Sequence, residues 1–235
     1  MHMPRHIPWQ DRNDLVGNVF RFIGAELLKQ DTYATIEFDF RQRESLLSGL
    51  EGWIDRGQPI FDPDCNTLDK RNAFWVVGRE LHGGGIVCCN SVRIYSDARL
   101  ADLFIDNRLI YDGTKPPGPH NVTLRMHEAD HVFGNLAYIG GGWVRPDFRG
   151  RHIPALLMAL SQAIILQDYS ADYSFGFVHH HDAERGLPIR SYHFHHTHRG
   201  VAWQWPGRGQ LDLWLLYNTY EDIREELGLF LPLAA

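Results

Sequence analysis

The chain has 235 residues, 44% of them hydrophobic, enough for one sizeable core and better suited to a single domain than to two. A formal net charge of −6 excludes a general attraction to nucleic acid or anionic membranes, so any basic site has to be local. No apolar run reaches membrane-spanning length and the start lacks a signal-peptide core, which makes the cytoplasm the expected compartment.

Asp14 to Lys29 places Leu15, Val19, Phe22, Ile23 and Leu27 at helical spacing and predicts an amphipathic helix laid against the body of the protein. Thr32 to Phe40 alternates like a half-buried strand, with Ile36, Phe38 and Phe40 inward and Glu37 and Asp39 outward. Helical spacing returns from Arg41 to Ile54 through Leu46, Leu47, Leu50, Trp53 and Ile54, and the Pro/Asp/Asn-rich run from Gly57 to Asn72 reads as a loop. Strands follow at Ala73 to Gly78 and Gly85 to Tyr95, joined by ELHGGG as a hairpin. Asp97 to Asp112 reads as a surface helix through Leu100, Leu103, Phe104 and Ile110, ending at the turn-rich GTKPPGPH. The three cysteines, Cys65 and the vicinal Cys88 and Cys89, form neither a disulfide framework nor a CxxC metal knuckle, and the vicinal pair reads as packing.

The stretch AYIGGGWVRPDFRGRHIPALLMALSQAIILQD, Ala137 to Asp168, is an apolar strand, a Gly/Arg loop and a helix. Ile153, Leu156, Leu157, Leu160 and Ile164 share a helical face, Ser161 and Gln162 lie off it, and Pro154 falls in the first turn, where proline costs no hydrogen bond. Free amides at a helix start form an anion site, which nearby guanidinium groups reinforce. Downstream come a short strand at Tyr173 to His179 and a segment from Asp182 to Tyr192 that is helical only if broken near Gly186 and Pro188. A hairpin of Val201 to Trp205 and Gln210 to Asn218 follows, then a last helix from Tyr220 to Leu227.

The segment VRPDFRGRHIPALL resembles the signature of the GNAT superfamily of N-acetyltransferases, in which a strand ending V-x-P-x-x-R-G runs into a glycine-rich loop and a helix. Arg149, Gly150, Arg151 and Ile153 match; His152 and Pro154 stand where the family usually has glycines, and Pro154 removes one N–H donor. The element order follows the family from about Thr32 to Asn218. The resemblance implies an α/β fold of GNAT type: a mixed, mostly antiparallel sheet with a splayed parallel pair of central strands, flanked by helices. It implies one domain over 1–235, with an N-terminal helical extension at 1–30 and an insertion between core strands at 97–120.

The resemblance further implies an acetyl-CoA or other acyl-CoA co-substrate, with no metal expected, and direct transfer to a small-molecule or peptide amine. It suggests a homodimer, while the net charge and the lack of a spanning run give no nucleic-acid or membrane partner. The pyrophosphate would rest on Arg149, Gly150, Arg151, His152 and Ile153, with Arg145 as a further charge partner, and the thioester on Gly142, Trp143 and Val144 of the strand Leu136 to Val144. The run Gly140, Gly141, Gly142 permits a bulge and close approach of a ligand; the bland reading is room for a side chain such as Trp143.

Amide formation needs a base for the ammonium and an acid for the leaving thiolate. Imidazole titrates near neutrality, so Glu128 and His131 before that strand and His179 at the end of Tyr173 to His179 are the base candidates. The family's tyrosine acid falls on Ile189 in one register and His196 in another, leaving Tyr192 as the acid candidate, with Asp182 where the family often has Asn. Two other functions stay open: an acyl-CoA-binding or regulatory module without catalysis, and a metalloenzyme using His179, His180 and His181 with His193, His195, His196 and His198. In an extended strand His193 and His195 share one face and His196 and His198 the other.

Overall fold

The computed structural model describes residues 9–51, 53, 59–115, 121–205 and 209–230. The chain opens with helix α1 (Trp9–Leu28), edge strand β1 (Thr32–Glu37) and helix α2 (Phe40–Leu47). The alternation was expected to carry the strand on to Phe40. It stops earlier because Asp39 caps α2, accepting bonds from the Arg41 and Gln42 amides, which turns Phe40 into the helix and the core. Ile36 and Phe38, expected inward, are 40% and 45% exposed, as an edge strand permits. Helix α2 also ends short of the expected Ile54, which lies outside the described residues, and Trp53 is buried without being helical.

A 3-10 turn (Pro59–Phe61) leads to β2 (Ala73–Glu80) and β3 (Ile86–Arg99), the expected hairpin. The insertion is not the surface helix that the spacing suggested. Helix α3 (Leu100–Ile105) is one short element that buries Leu100, Leu103 and Phe104, and β4 (Asn121–Leu124) follows it. Then come a 3-10 turn (Glu128–His131), β5 (Phe133–Val144), a further 3-10 turn (Pro146–Phe148) and helix α4 (Ile153–Asp168). The remainder is β6 (Tyr173–His179), two short helices α5 (His180–Glu184) and α6 (Leu187–Tyr192) broken at Gly186, the β7 (His196–Trp205) and β8 (Gly209–Thr219) hairpin, and α7 (Tyr220–Leu229).

Among the described residues, eight strands make one sheet in the order β1-β2-β3-β5-β6-β8-β7-β4, and only β5 and β6 run parallel. Two apolar cores lie on its two faces. Helices α1, α4 and α7 cover one, with Val19, Ile23, Leu157 and Ile223 among its buried residues. The other is closed by α2, the first 3-10 turn and α3, through Phe40, Leu47, Phe61 and Leu103. Helix α4 is wrapped on both sides by sheet and helices, so Ser161 and Gln162, expected outside its apolar face, are fully buried. Ser161 Oγ donates to Asn90 Oδ1 at 2.8 Å, which satisfies part of that polar burial. Among the described residues no helix is long and apolar enough to cross a membrane.

Candidate functional site

The parallel ladder between β5 and β6 is three residues long: Leu136 faces Tyr173, Ala137 faces Ser174 and Tyr138 faces Phe175. Beyond it the strands diverge, although β5 continues to Val144 and β6 to His179. At the point of divergence sits Gly176, where a Cβ would lie 2.7 Å from the carbonyl oxygen of Ile139, so the strands meet there only because one residue has no side chain. On the other edge of β5, Ser91 pairs with Gly140 and Cys89 with Trp143, leaving Gly141 and Gly142 opposite Asn90 alone. This is a bulge, with Gly141 at φ +60°. The bland reading of the glycines named the wrong neighbour. Trp143 points away, its indole donating to Glu51 O at 3.0 Å, whereas Tyr138 overlies Gly140 and the Arg43 guanidinium presses on Gly141.

The divergence opens a slot of about 210 Å³ that passes through the sheet. On the α4 side its wall is Asn90, Ile139, Met158, Val178, Tyr192 and Phe194; on the far side it is Tyr138, Phe177, Trp203, Trp205, Leu211 and Leu213. Gly142 borders it, Val144 pairs with Cys88, and His179, two residues beyond Phe177 on β6, shares the face of that ring.

The loop leaving β5 starts α4 at the same end of the sheet. The amides of Gly150, Arg151, His152 and Ile153 have no acceptor among the described residues, while Ala155 and Leu156 already bond back to His152 O at 3.1 and 3.2 Å. Pro154 occupies the first turn; His152, in the left-handed region at φ +59°, is exposed, as are Arg149, Gly150 and Arg151. A Cβ on Gly150 would meet nothing within 4 Å. Arg149 and Arg151 form no ion pair among the described residues, and Arg151 lies over the Phe148 ring at 4.3 Å. Arg145, expected as a charge partner, is spent elsewhere: it bonds Glu80 at 2.7 and 3.1 Å and Asp147 at 2.7 and 3.0 Å. Hydrogen bonds to Arg145 hold both carboxylates below their ordinary range.

Of the four catalytic candidates, the structure brings His179 and Tyr192 into the slot, together with Asp182. Burial pushes the Tyr192 phenol up, and the charges of Asp182 and Cys88 add to it. Ile189, the family register's acid position, is 63% exposed; Tyr192, one helical turn further on, points inward. Glu128 and His131 stand at the closed end of β5, roughly 35–40 Å along the strand from Val144 at about 3.3 Å per residue. Glu128 faces His198 there at 3.6 Å. The expected histidine alternation holds only within β7, where His196 and His198 both stack on Tyr217. His193 is the left-handed C-cap of α6, so it and His195, which both meet Glu226, are not on one extended strand, and His195 shares Asp222 with His196. These imidazoles lie against carboxylates of α7 and of the turn before β5, and no group of three or more His, Cys, Asp or Glu among the described residues is arranged to hold a metal. Burial raises the Cys88 thiol well above its usual range, in keeping with packing.

No family model matches the sequence, and a search of curated proteins returns no match. Solved structures do match. The Arabidopsis thaliana NAA60 structure in complex with acetyl-CoA superposes with a TM-score of 0.50 at 14% identity, covering 80% of this chain and 99% of that one. The chain has the GNAT fold. A structure described as a putative phosphinothricin N-acetyltransferase (TM-score 0.43, 10% identity, 80% and 98% covered) is more distantly similar. So is aminoglycoside acetyltransferase AAC(6')-Ib with coenzyme A and kanamycin (0.44, 9%, 82% and 98%). The splayed parallel pair is where the resemblance placed it, and the bulge in β5 falls on the glycine run that permits one. Trp203, Trp205 and Phe177 also line the slot, and no motif in the sequence marks them. Their strands were legible, but the sheet order that turns them toward the slot was not.

Proposed function

We propose that this protein is an acyl-CoA-dependent N-acyltransferase. The observation that carries this is the juxtaposition of two features at one end of the sheet, an open slot between parallel strands and a run of four unpaired amides at a helix start. A diphosphate suits the amides of Gly150 to Ile153, where the helix dipole and the exposed Arg149 and Arg151 favour negative charge. A pantetheine arm laid along β5 would use the backbone near Gly142, Trp143 and Val144 in place of a neighbouring strand, bringing the thioester to the slot.

His179 takes a proton from the substrate ammonium on the far side. The neutral nitrogen bonds to the thioester carbonyl carbon, and collapse of the tetrahedral intermediate breaks the C–S bond. Tyr192, kept protonated by its burial, gives its proton to the leaving thiolate and is reprotonated by the excess proton of the new amide nitrogen through solvent. Neither Glu128 nor His131 enters this scheme, since both lie at the other end of β5.

Calorimetric titration with acetyl-CoA tests the reading, with micromolar binding expected for the wild type and at least tenfold weaker binding for an Arg149→Ala/Arg151→Ala double variant. Absence of binding at millimolar acetyl-CoA would sink it.

A further inference from the structure

We infer that the acyl acceptor is a primary amine carried on an aromatic or similarly flat apolar group, received by the far wall of the slot. This rests on the transferase reading above and specifies its second substrate. The far wall is built of rings in mutual contact: Tyr138 and Phe177 at 5.5 Å between centroids, Phe177 edge-on to Trp203 at 6.4 Å, and Trp203 beside Trp205 at 4.9 Å. Leu211 and Leu213 of β8 complete it. Phe104 of the insertion packs edge-on against Phe177 at 5.9 Å, so the wall is braced from behind.

Such a surface receives a ring by stacking, and its ring faces attract an ammonium on its way to His179. Among the described residues the far wall carries no carboxylate; Asp182, the acidic residue lining the slot, sits on the α5 side near Tyr192. A polyamine or aminoglycoside would bring further ammonium groups with nothing to compensate their loss of water. Size points the same way. At about 210 Å³ the slot is below the roughly 300–1,000 Å³ of pockets for drug-sized ligands, and part of it must hold the thioester. One small ring system on a short tether fits what is left. Trp203, 1% exposed, also keeps its indole N–H without an acceptor among the described residues, a spare donor for an oxygen on the ring.

The test measures acetyl-CoA-dependent thiol release with phenethylamine, tryptamine, a tripeptide beginning with phenylalanine, spermidine and kanamycin. The expected result is kcat/KM at least tenfold higher for an aromatic amine than for spermidine or kanamycin. The free amines and the peptide share the recognised chemistry, and their ratio tells which source supplies it. Leu211→Asp, which puts a carboxylate on the wall, lowers kcat/KM for the aromatic amine at least tenfold and raises it for spermidine, with the acetyl-CoA Kd unchanged as the control for folding. Trp203→Leu raises KM for the aromatic amine more than it changes kcat. A preference for spermidine or kanamycin, or a selectivity ratio unmoved by Leu211→Asp, overturns the acceptor class and leaves the transferase reading intact. Failure of acetyl-CoA to bind overturns both.

Discussion

Gly141→Ala and Gly150→Ala are the same chemical change at two left-handed residues of one strand-loop unit, and the structure separates their effects. At Gly141, φ +60°, an alanine costs about 1–2 kcal/mol from backbone conformation alone. Its Cβ would also lie 2.5 Å from Arg43 Nη2 and 3.5 Å from Phe61. The guanidinium has little freedom to retreat, because it is 5.2 Å from the ring centroids of both Trp53 and Phe61 and its Nε donates to Ser91 Oγ at 2.7 Å. Loss of that charged hydrogen bond adds about 1.5–3 kcal/mol, which brings the total to roughly 2.5–5 kcal/mol. For a domain of this size the melting temperature then falls by roughly 5–20 °C, at about 2–4 °C per kcal/mol. Gly150, at φ +80°, has open space around the missing Cβ, so Gly150→Ala costs only the backbone part, about 1–2 kcal/mol. Its larger effect is expected on ligand binding, because strain at φ +80° falls on the residue that carries the first of the free amides. Urea denaturation and acetyl-CoA calorimetry on both variants make the comparison. If Gly141→Ala is destabilised by less than Gly150→Ala, the bulge is not held by Arg43 and the reasoning fails.

Tyr192→Phe is expected to lower kcat by about 100-fold or more, the usual scale for a general acid, with the acetyl-CoA Kd unchanged. Because burial raises the Tyr192 pKa, the loss of its proton enters the kcat profile of the wild type only above the ordinary tyrosine value of 10.0; an alkaline limb below that value which vanishes in Tyr192→Phe would refute the assignment of the shift. Arg145→Ala removes the clamp on Glu80 and Asp147 rather than a ligand contact, so it should weaken acetyl-CoA binding less than the Arg149/Arg151 double variant does; the reverse order in the same titration would mark Arg145 as the contact. The α7 cluster predicts a stability maximum in mildly acidic solution. Burial alone would lower the His195 pKa, but Glu226 and Asp222 raise it, so its contribution is complete below 6.5 and is lost as pH rises through the higher folded value. Burial alone would raise the Asp222 pKa, but its bonds from Thr219 and the charges of His196 and His195 lower it. Its contribution is present above 3.8 and disappears as pH falls through the lower folded value. Thermal melts from pH 3 to pH 9 should show the alkaline decline flattened in His195→Ala; an unchanged decline contradicts it.

The parts of the fold that could be read from the sequence are those whose neighbours are close in the chain. The Gly/Arg loop into α4, strand β6 and the β7–β8 hairpin each carry their own turn chemistry and periodicity. The failures come from distant partners. Ser161 looks like a solvent position until β3 brings Asn90 against it, and Asn121–Leu124 has too few apolar residues to announce a strand that exists because β7 offers it an edge. Of the candidates, His179 and Tyr192 line the slot, since each ends an element beside the strand gap. Glu128 and His131 are close in sequence to β5, but a strand of that length carries its two ends far apart. The aromatic wall needed the crossover order of the sheet, which no local pattern encodes.

Between β3 and β5 the chain leaves one half of the sheet, traverses the face above the ring-lined wall and contributes β4 to the outer margin of the other half before returning. One excursion therefore belongs to both lips of the gap and acts as a tie between them. Spreading the half-sheets further apart would have to strip β4 from β7, so the excursion limits how far the lips can part. Under the proposed function, an acyl donor would therefore meet lips that are already restrained, and less of their motion has to be lost on binding.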